Sequence, residues 1–162
     1  MQTNKFQKTQ SAAFTGHRFI SYSKYPALKA SLRQTIKAFY TQGIHNFYCG
    51  MAIGFDTLAA EAVLSLKTEL QELALIAVVP YRGQCKKWSD TNRSRYNTIL
   101  CKADQTILLS ENYYQGCLLR RNDYMLSQSS CVIAYFDGNN EGGTFYTCQK
   151  AAELSLPVKN IF

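Results

Sequence analysis

Residues 73–79 (Leu-Ala-Leu-Ile-Ala-Val-Val) form a continuous apolar run that Pro80 stops. A run of that length without polar alternation is a strand buried on both faces, which is the habit of a central strand in a parallel sheet. The rest of the chain alternates short apolar runs with segments of helical period. Strands are expected at 11–16, 46–49, 105–109, 131–136 and 158–162. A helix over 25–42 places Leu28, Leu32, Ile36 and Phe39 at helical spacing and closes at Gly43. The clearest helix, 56–70, carries Leu58, Ala59, Ala62, Val63, Leu66 and Leu70 on one face, with Glu61 and Lys67 opposite. Further helices are expected at 91–101, 113–127 and 143–154, with a turn cluster at 137–141. Strands and helices in this alternation predict an α/β fold: a Rossmann-like open parallel sheet in a three-layer α/β/α arrangement.

No linker, repeat or low-complexity tract interrupts the pattern, so residues 1–162 are expected to form a single domain. At this length folding buries about 70% of the unfolded chain's surface, enough for a core without staples. Six cysteines, at positions 49, 85, 101, 117, 131 and 148, show no Cys-x-x-Cys pair and no cluster with histidine. They are expected as small core side chains, with no metal site. The start, Met-Gln-Thr-Asn-Lys-Phe-Gln-Lys, has no apolar stretch behind its lysine, and no later run is long enough to span a membrane. A cytoplasmic protein with reduced thiols is the expectation, without a membrane partner. Eighteen Lys and Arg against 11 Asp and Glu give a net charge of +7, which favours anionic partners.

In a sheet of this kind ligands bind in the crevice beyond the carboxyl ends of the strands. Thr15-Gly16-His17-Arg18 follows the first strand. There glycine lets backbone approach a ligand, N–H groups can point outward and Arg18 can pair with a phosphate; the plainer alternative is a tight turn with a surface His and Arg. His17 can act as acid or base, although no carboxylate lies near it in sequence. The second strand runs into Cys49-Gly50-Met51-Ala52-Ile53-Gly54-Phe55-Asp56. That loop can offer N–H groups to an anion at a helix start, with Asp56 serving either as helix cap or as partner of a ribose hydroxyl or base. It is neither the Gly-x-Gly-x-x-Gly dinucleotide fingerprint nor a P-loop, which argues against standard enzymes of those two kinds.

After the third strand, Pro80 and Tyr81 lead through Arg82 to a basic, aromatic patch of Lys86, Lys87, Trp88, Arg93, Arg95 and Tyr96. Such a patch suits a nucleobase with its phosphate, or a single strand of nucleic acid; a solvated face over Trp88 is the alternative. In the fourth helix Asn122, next to Arg121, breaks the apolar stripe of Leu118 and Met125. A buried amide there either satisfies nearby backbone or reaches a ligand. Gly142-Gly143-Thr144 opens the last helix as a phosphate pocket, or as a glycine turn capped by Thr144. The glycine-bearing turns all follow parallel strands, so they should face one rim.

Taken in order, Thr15-Gly16-His17-Arg18, Gly50-x-x-x-Gly54-x-Asp56, Val79-Pro80-Tyr81, Arg95-Tyr96, Ala103-Asp104, Arg121-Asn122-x-x-Met125, Ala134-Tyr135-Phe136-Asp137-Gly138 and Gly142-Gly143-Thr144 resemble the YpsA-like family. The likeness runs from about Ala13 to Phe162. That family belongs to the SLOG superfamily, together with the DNA-processing protein DprA/Smf and the LOG phosphoribohydrolases. The resemblance implies a bacterial, cytoplasmic protein whose strand-end loops bind a nucleotide or nucleotide-derived ligand, such as ADP-ribose or a nicotinamide dinucleotide. By the same resemblance Gly16, Arg18, Gly50, Gly54, Asp56 and Gly142 to Thr144 line the pocket, and relatives of this kind often form homo-oligomers.

LOG enzymes carry Gly-Gly-x-Gly-Thr-x-x-Glu, whose glutamate is linked to cleavage of the N-glycosidic bond. Here Thr147 stands in the acidic place, and a hydroxyl cannot do a carboxylate's work near neutral pH. No catalytic residue is therefore assigned, with Asp56 or Glu61 the available substitutes. The leading expectation is a nucleotide-binding sensor or regulatory module without an identified cofactor. A nucleotide N-glycosidase and a DprA-like binder of single-stranded DNA are the alternatives.

Overall fold

The computed structural model describes residues 5–162; the first four residues of the stretch read for a leader lie outside them. Six strands form one sheet: β1 (Ser11–Gly16), β2 (Asn46–Cys49), β3 (Ala74–Val79), β4 (Gln105–Leu108), β5 (Cys131–Tyr135) and β6 (Val158–Asn160). Their order is β4-β3-β2-β1-β5-β6 and every pairing is parallel. Five helices connect them: α1 (Tyr25–Thr41), α2 (Phe55–Leu66), α3 (Asp90–Lys102), α4 (Cys117–Ser127) and α5 (Gly142–Glu153). Among the described residues, no helix is long and apolar enough to cross a membrane.

The pleat of the strands separates two cores. Ala12 and Phe14 of β1, with Leu75 and Ala77 of β3, face a core completed by Leu32 and Ile36 of α1, Leu58 and Val63 of α2, and Ile99 of α3. Their neighbours Ala13, Ala74, Ile76 and Val78 point the other way, toward Met125 of α4. Further along that face Leu126 of α4 and Ala151 of α5 cover Val132 and Ala134 of β5. All six residues of β3 are buried, as a strand covered on both faces must be. Each fully buried Leu, Ile or Phe contributes about 2 kcal/mol.

Element types agree with the sequence, and the largest boundary differences, of four residues each, are at the start of α4 and the end of α2. The expected helix from Tyr113 instead begins at Cys117, because Gly116 sits at φ 92 in the left-handed region, where no right-handed helix can run through. Tyr113 and Tyr114 therefore stay in the preceding loop. The helix expected over 56–70 ends at Leu66, with a final turn closed by Leu70 N–H on the Leu66 carbonyl at 2.8 Å.

Chain order decides where a crevice opens. From β1 the chain steps outward through β2 and β3 to β4, and α4 then carries it back to β5, beside β1. The carboxyl ends of β1 and β5 thus feed loops that diverge to opposite faces of the sheet, the place where such sheets hold ligands.

Candidate functional site

A cavity of about 410 Å³ lies at that divergence, lined by the end of β1 and by the starts of α2, α4 and α5. Thr15, Gly16, His17 and Arg18 come from β1 and its loop, Ala52 and Asp56 from the loop into α2, Arg121 and Asn122 from α4, and Gly143 and Thr144 from α5. Four segments far apart in sequence meet here because each leaves or enters the same edge of a parallel sheet.

The loops are stitched to one another by backbone. His17 N–H donates to the Tyr135 carbonyl at 3.3 Å, and Phe55 N–H donates to the His17 carbonyl at 3.1 Å. The His17 ring is tied down as well: its Nε2 accepts Asp137 N–H at 2.9 Å and stands 3.1 Å from Asp137 Oδ1. Sequence shows no carboxylate near His17, yet the pairing of β1 with β5 brings one from 120 residues away.

Asp56 and Arg121 form the floor. Asp56 is 6% exposed and Arg121 5%. Asp56 is not the helix cap that one sequence alternative made it: Gly54 holds the cap position, and Asp56 Oδ2 accepts the N–H of Ala52 at 3.1 Å inside the loop. Burial raises its carboxyl above the usual range, with Arg121, the Ala52 N–H and Arg18 pulling it back. Arg121 gives Nε to Asn122 Oδ1 at 2.8 Å and Nη1 to the Gly50 carbonyl. Its guanidinium is lowered by the same burial and supported by the charge of Asp56, although no carboxylate of the described residues comes within 4.0 Å.

The glycines divide into two kinds. A Cβ on Gly16 would fall 2.3 Å from the Phe55 ring, one on Gly50 2.8 Å from Arg121, and one on Gly54 2.2 Å from the Arg18 carbonyl oxygen. Those three are glycine because protein atoms occupy the space. Around Gly142 nothing lies within 4 Å, and around Gly143 only Asn122 Nδ2 does, at 3.8 Å. Thr144 is not the cap of α5, a position held by Glu141. It points into the cavity from the first turn.

Several side chains of largely buried residues present polar atoms to the cavity that have no hydrogen-bond partner among the described residues: the hydroxyls of Thr15 and Thr144, Asn122 Nδ2, Asp56 Oδ1 and Arg121 Nη2. Each of these residues is at most 7% exposed. At the mouth Arg18 is exposed and likewise carries no ion pair or hydrogen bond.

Other expected residues lie elsewhere. Pro80 is buried at the end of β3, and Tyr81 lines a neighbouring cavity. Glu61, a candidate acid by sequence, faces away along α2 and pairs with Arg95 at 2.7 and 2.8 Å. Thr147 is fully buried and donates its hydroxyl to the Gly143 carbonyl at 2.9 Å. The apolar stripe of α4 turns inward: Cys117, Met125 and Leu126 are buried with Arg121 and Asn122. Sequence reasoning missed Tyr113, Gly116 and Cys117 in the cavity wall, since it placed the two tyrosines inside a helix. The signal available was Gly116 itself, a breaker within the helical pattern.

Comparison with known proteins shows the family and a shared fold. Residues 17–159 match the model of the YpsA family, described as the YspA SLOG family. The UPF0398 protein YpsA of Bacillus subtilis strain 168 is 25% identical over 131 residues, covering 78% of this chain and 73% of its own. A UPF0398 protein of Halalkalibacterium halodurans is 27% identical over 137 residues, covering 83% of this chain and 70% of its own. Among solved structures, DNA processing protein A of Helicobacter pylori, known for a single-stranded DNA binding mode, superposes with a TM-score of 0.65 at 17% identity. The match covers 93% of this chain but 64% of that protein, and the likeness is one of fold.

Proposed function

Given that the chain belongs to the YspA SLOG family, we propose that it binds a nucleotide or nucleotide-derived ligand, of the ADP-ribose or NAD kind, in the cavity between the ends of β1 and β5, and acts as a sensor or regulatory module. One observation carries this: the cluster of polar atoms, borne by largely buried residues, that open onto a single cavity without protein partners. Because these atoms open onto the cavity and are not spent on one another, a ligand with complementary groups can take up their free hydrogen-bonding capacity. The mixture fits a nucleotide. Asp56 Oδ1 can accept from ribose hydroxyls, and Asn122 Nδ2 and the hydroxyls of Thr15 and Thr144 can donate. The free first-turn amides of α5, next to open space at Gly142 and Gly143, suit a phosphate, with Arg18 at the mouth.

Calorimetric titration with AMP, ADP-ribose, NAD and cyclic dinucleotides tests the proposal. At least one should bind, and Thr144→Val, which removes a hydroxyl with no protein partner, should weaken it roughly tenfold while leaving the melting temperature unchanged. No heat from any of these ligands, with no shift in melting temperature, would sink the idea.

Hydrolysis of a nucleotide's N-glycosidic bond is the second reading, favoured by Asp56: a buried carboxyl with a raised pKa on the floor of a cavity is suited to general acid work. Against it, Thr147 is committed to the α5 backbone, and Asp56 is the one acidic residue among the described lining. Release of free adenine from AMP, lost in Asp56→Asn, would establish it.

A further inference from the structure

The rim of the cavity is shared. Tyr113, 63% exposed, also lines a second cavity of about 520 Å³ formed by the loops that follow β3 and β4. Those loops are clasped to each other before any ligand arrives. Arg82 grips Glu111 with Nε at 2.6 Å and Nη2 at 3.0 Å, and the Arg82 N–H donates to the Ser110 carbonyl at 3.0 Å. Tyr81 from one loop meets Tyr113 from the other edge to face, with ring centres 5.3 Å apart.

The clasp also decides which charges remain. Arg82 and Glu111 neutralise one another, whereas Lys86 and Lys87, on the same wall, are exposed and have no acidic partner among the described residues. Beyond this wall the other basic residues of the patch are engaged, Arg93 with Asp90 and Arg95 with Glu61. The second cavity therefore combines aromatic surface and the mutually neutralised Arg82 and Glu111 with two cations that have no acidic partner among the described residues.

Resting on the nucleotide reading of the first cavity, we infer that the site takes a dinucleotide. One nucleotide unit occupies the cavity at β1 and β5, and the linkage crosses at Tyr113. The second base packs on the Tyr81 and Tyr113 surface, where Lys86 and Lys87 balance phosphate charge. The two volumes are of similar size and share one residue, so a short phosphate linkage joins them without a spacer. Stacking on aromatic side chains suits any base, so this subsite reads the presence of a second nucleoside rather than its identity.

Titration with AMP, NAD, the dinucleotide pApA and the tetranucleotide (pA)4 tests the arrangement. The tighter of NAD and pApA should exceed AMP roughly tenfold, with no further gain for (pA)4. Tyr81→Ala and, as an exposed change that spares the fold, Lys87→Ala should each bring the dinucleotide-to-AMP affinity ratio toward one. Equal affinity for AMP and both dinucleotides would remove the second subsite and leave the first. Affinity that climbs through (pA)4 would overturn the inference in favour of a single-strand track. Failure of all four to bind would remove this inference together with the nucleotide reading beneath it.

Discussion

Asp56 shows how a single buried group links the site to stability. Its carboxyl is held above its ordinary range by desolvation, so the folded protein keeps that proton at a pH where the unfolded chain has already lost it. Unfolding then releases a proton across the window between the ordinary carboxylate value and the raised one, and stability falls as pH rises through it. Below that window Asp56 is neutral in both states and imposes no penalty. Asp56→Asn keeps a carbonyl oxygen to accept the Ala52 N–H and removes the titration. The variant's advantage in unfolding free energy over the parent should therefore grow with pH through this window and then level off, as read by urea denaturation from about pH 3.5 to 7. A difference that stays flat with pH would show that the burial penalty is absent. A carboxylate kept at a cost to stability is what a binding group looks like.

The start of α2 is where separate loops become one element. Gly54 caps it at φ 80, and its Cα hydrogens face the Arg18 backbone so closely that a methyl group would lie 2.2 Å from the carbonyl oxygen. One residue on, Phe55 donates its N–H to His17 and drives its ring under Gly16. Strain and clash add at this position, so Gly54→Ala should lose about 3 kcal/mol in urea unfolding. Gly83 supplies the control: its φ is also positive, at 84, but nothing lies within 4 Å of the missing Cβ, and Gly83→Ala should lose only about 1 kcal/mol. Equal losses in the two variants would mean that the close approach of the loops contributes nothing. At α4 the same residue type acts differently, since Gly116 ends a loop and sets the register in which Arg121 and Asn122 face inward.

Across the whole molecule the net charge of +7 overstates what a nucleic acid or nucleotide would meet. Arg33, Lys37, Lys67, Arg82, Arg93 and Arg95 all have carboxylate partners. Among the described residues lining the two cavities, the exposed cations without a carboxylate partner are Arg18, Lys86 and Lys87. Each phosphate neutralised on a single strand contributes about −0.7 to the slope of log K against log salt, so three cations predict a slope near −2 for oligonucleotide binding. Fluorescence anisotropy with labelled (pA)12, which has phosphates enough to reveal a longer track, measures it across a salt series. A slope steeper than about −4 would require a basic track wider than these three residues and would favour the single-strand reading.

The alternation of apolar runs and helical periods determined the α/β class, the order of the elements and even the two-faced burial of β3, because those properties follow from local pattern. It also placed the glycine turns on one rim, since every strand of a parallel sheet ends on the same side. Tertiary structure alone decided what the glycines are for: Gly16, Gly50 and Gly54 admit Phe55, Arg121 and the Arg18 backbone, contacts that join segments distant in sequence. It alone brought Asp137 to His17, sent Glu61 to Arg95, and left Thr15, Asn122 and Thr144 around one cavity with atoms unpaired. Residue type and spacing record which chemistry a chain carries; which groups are spent on one another, and which remain for a ligand, depends on distances that only the packed sheet sets.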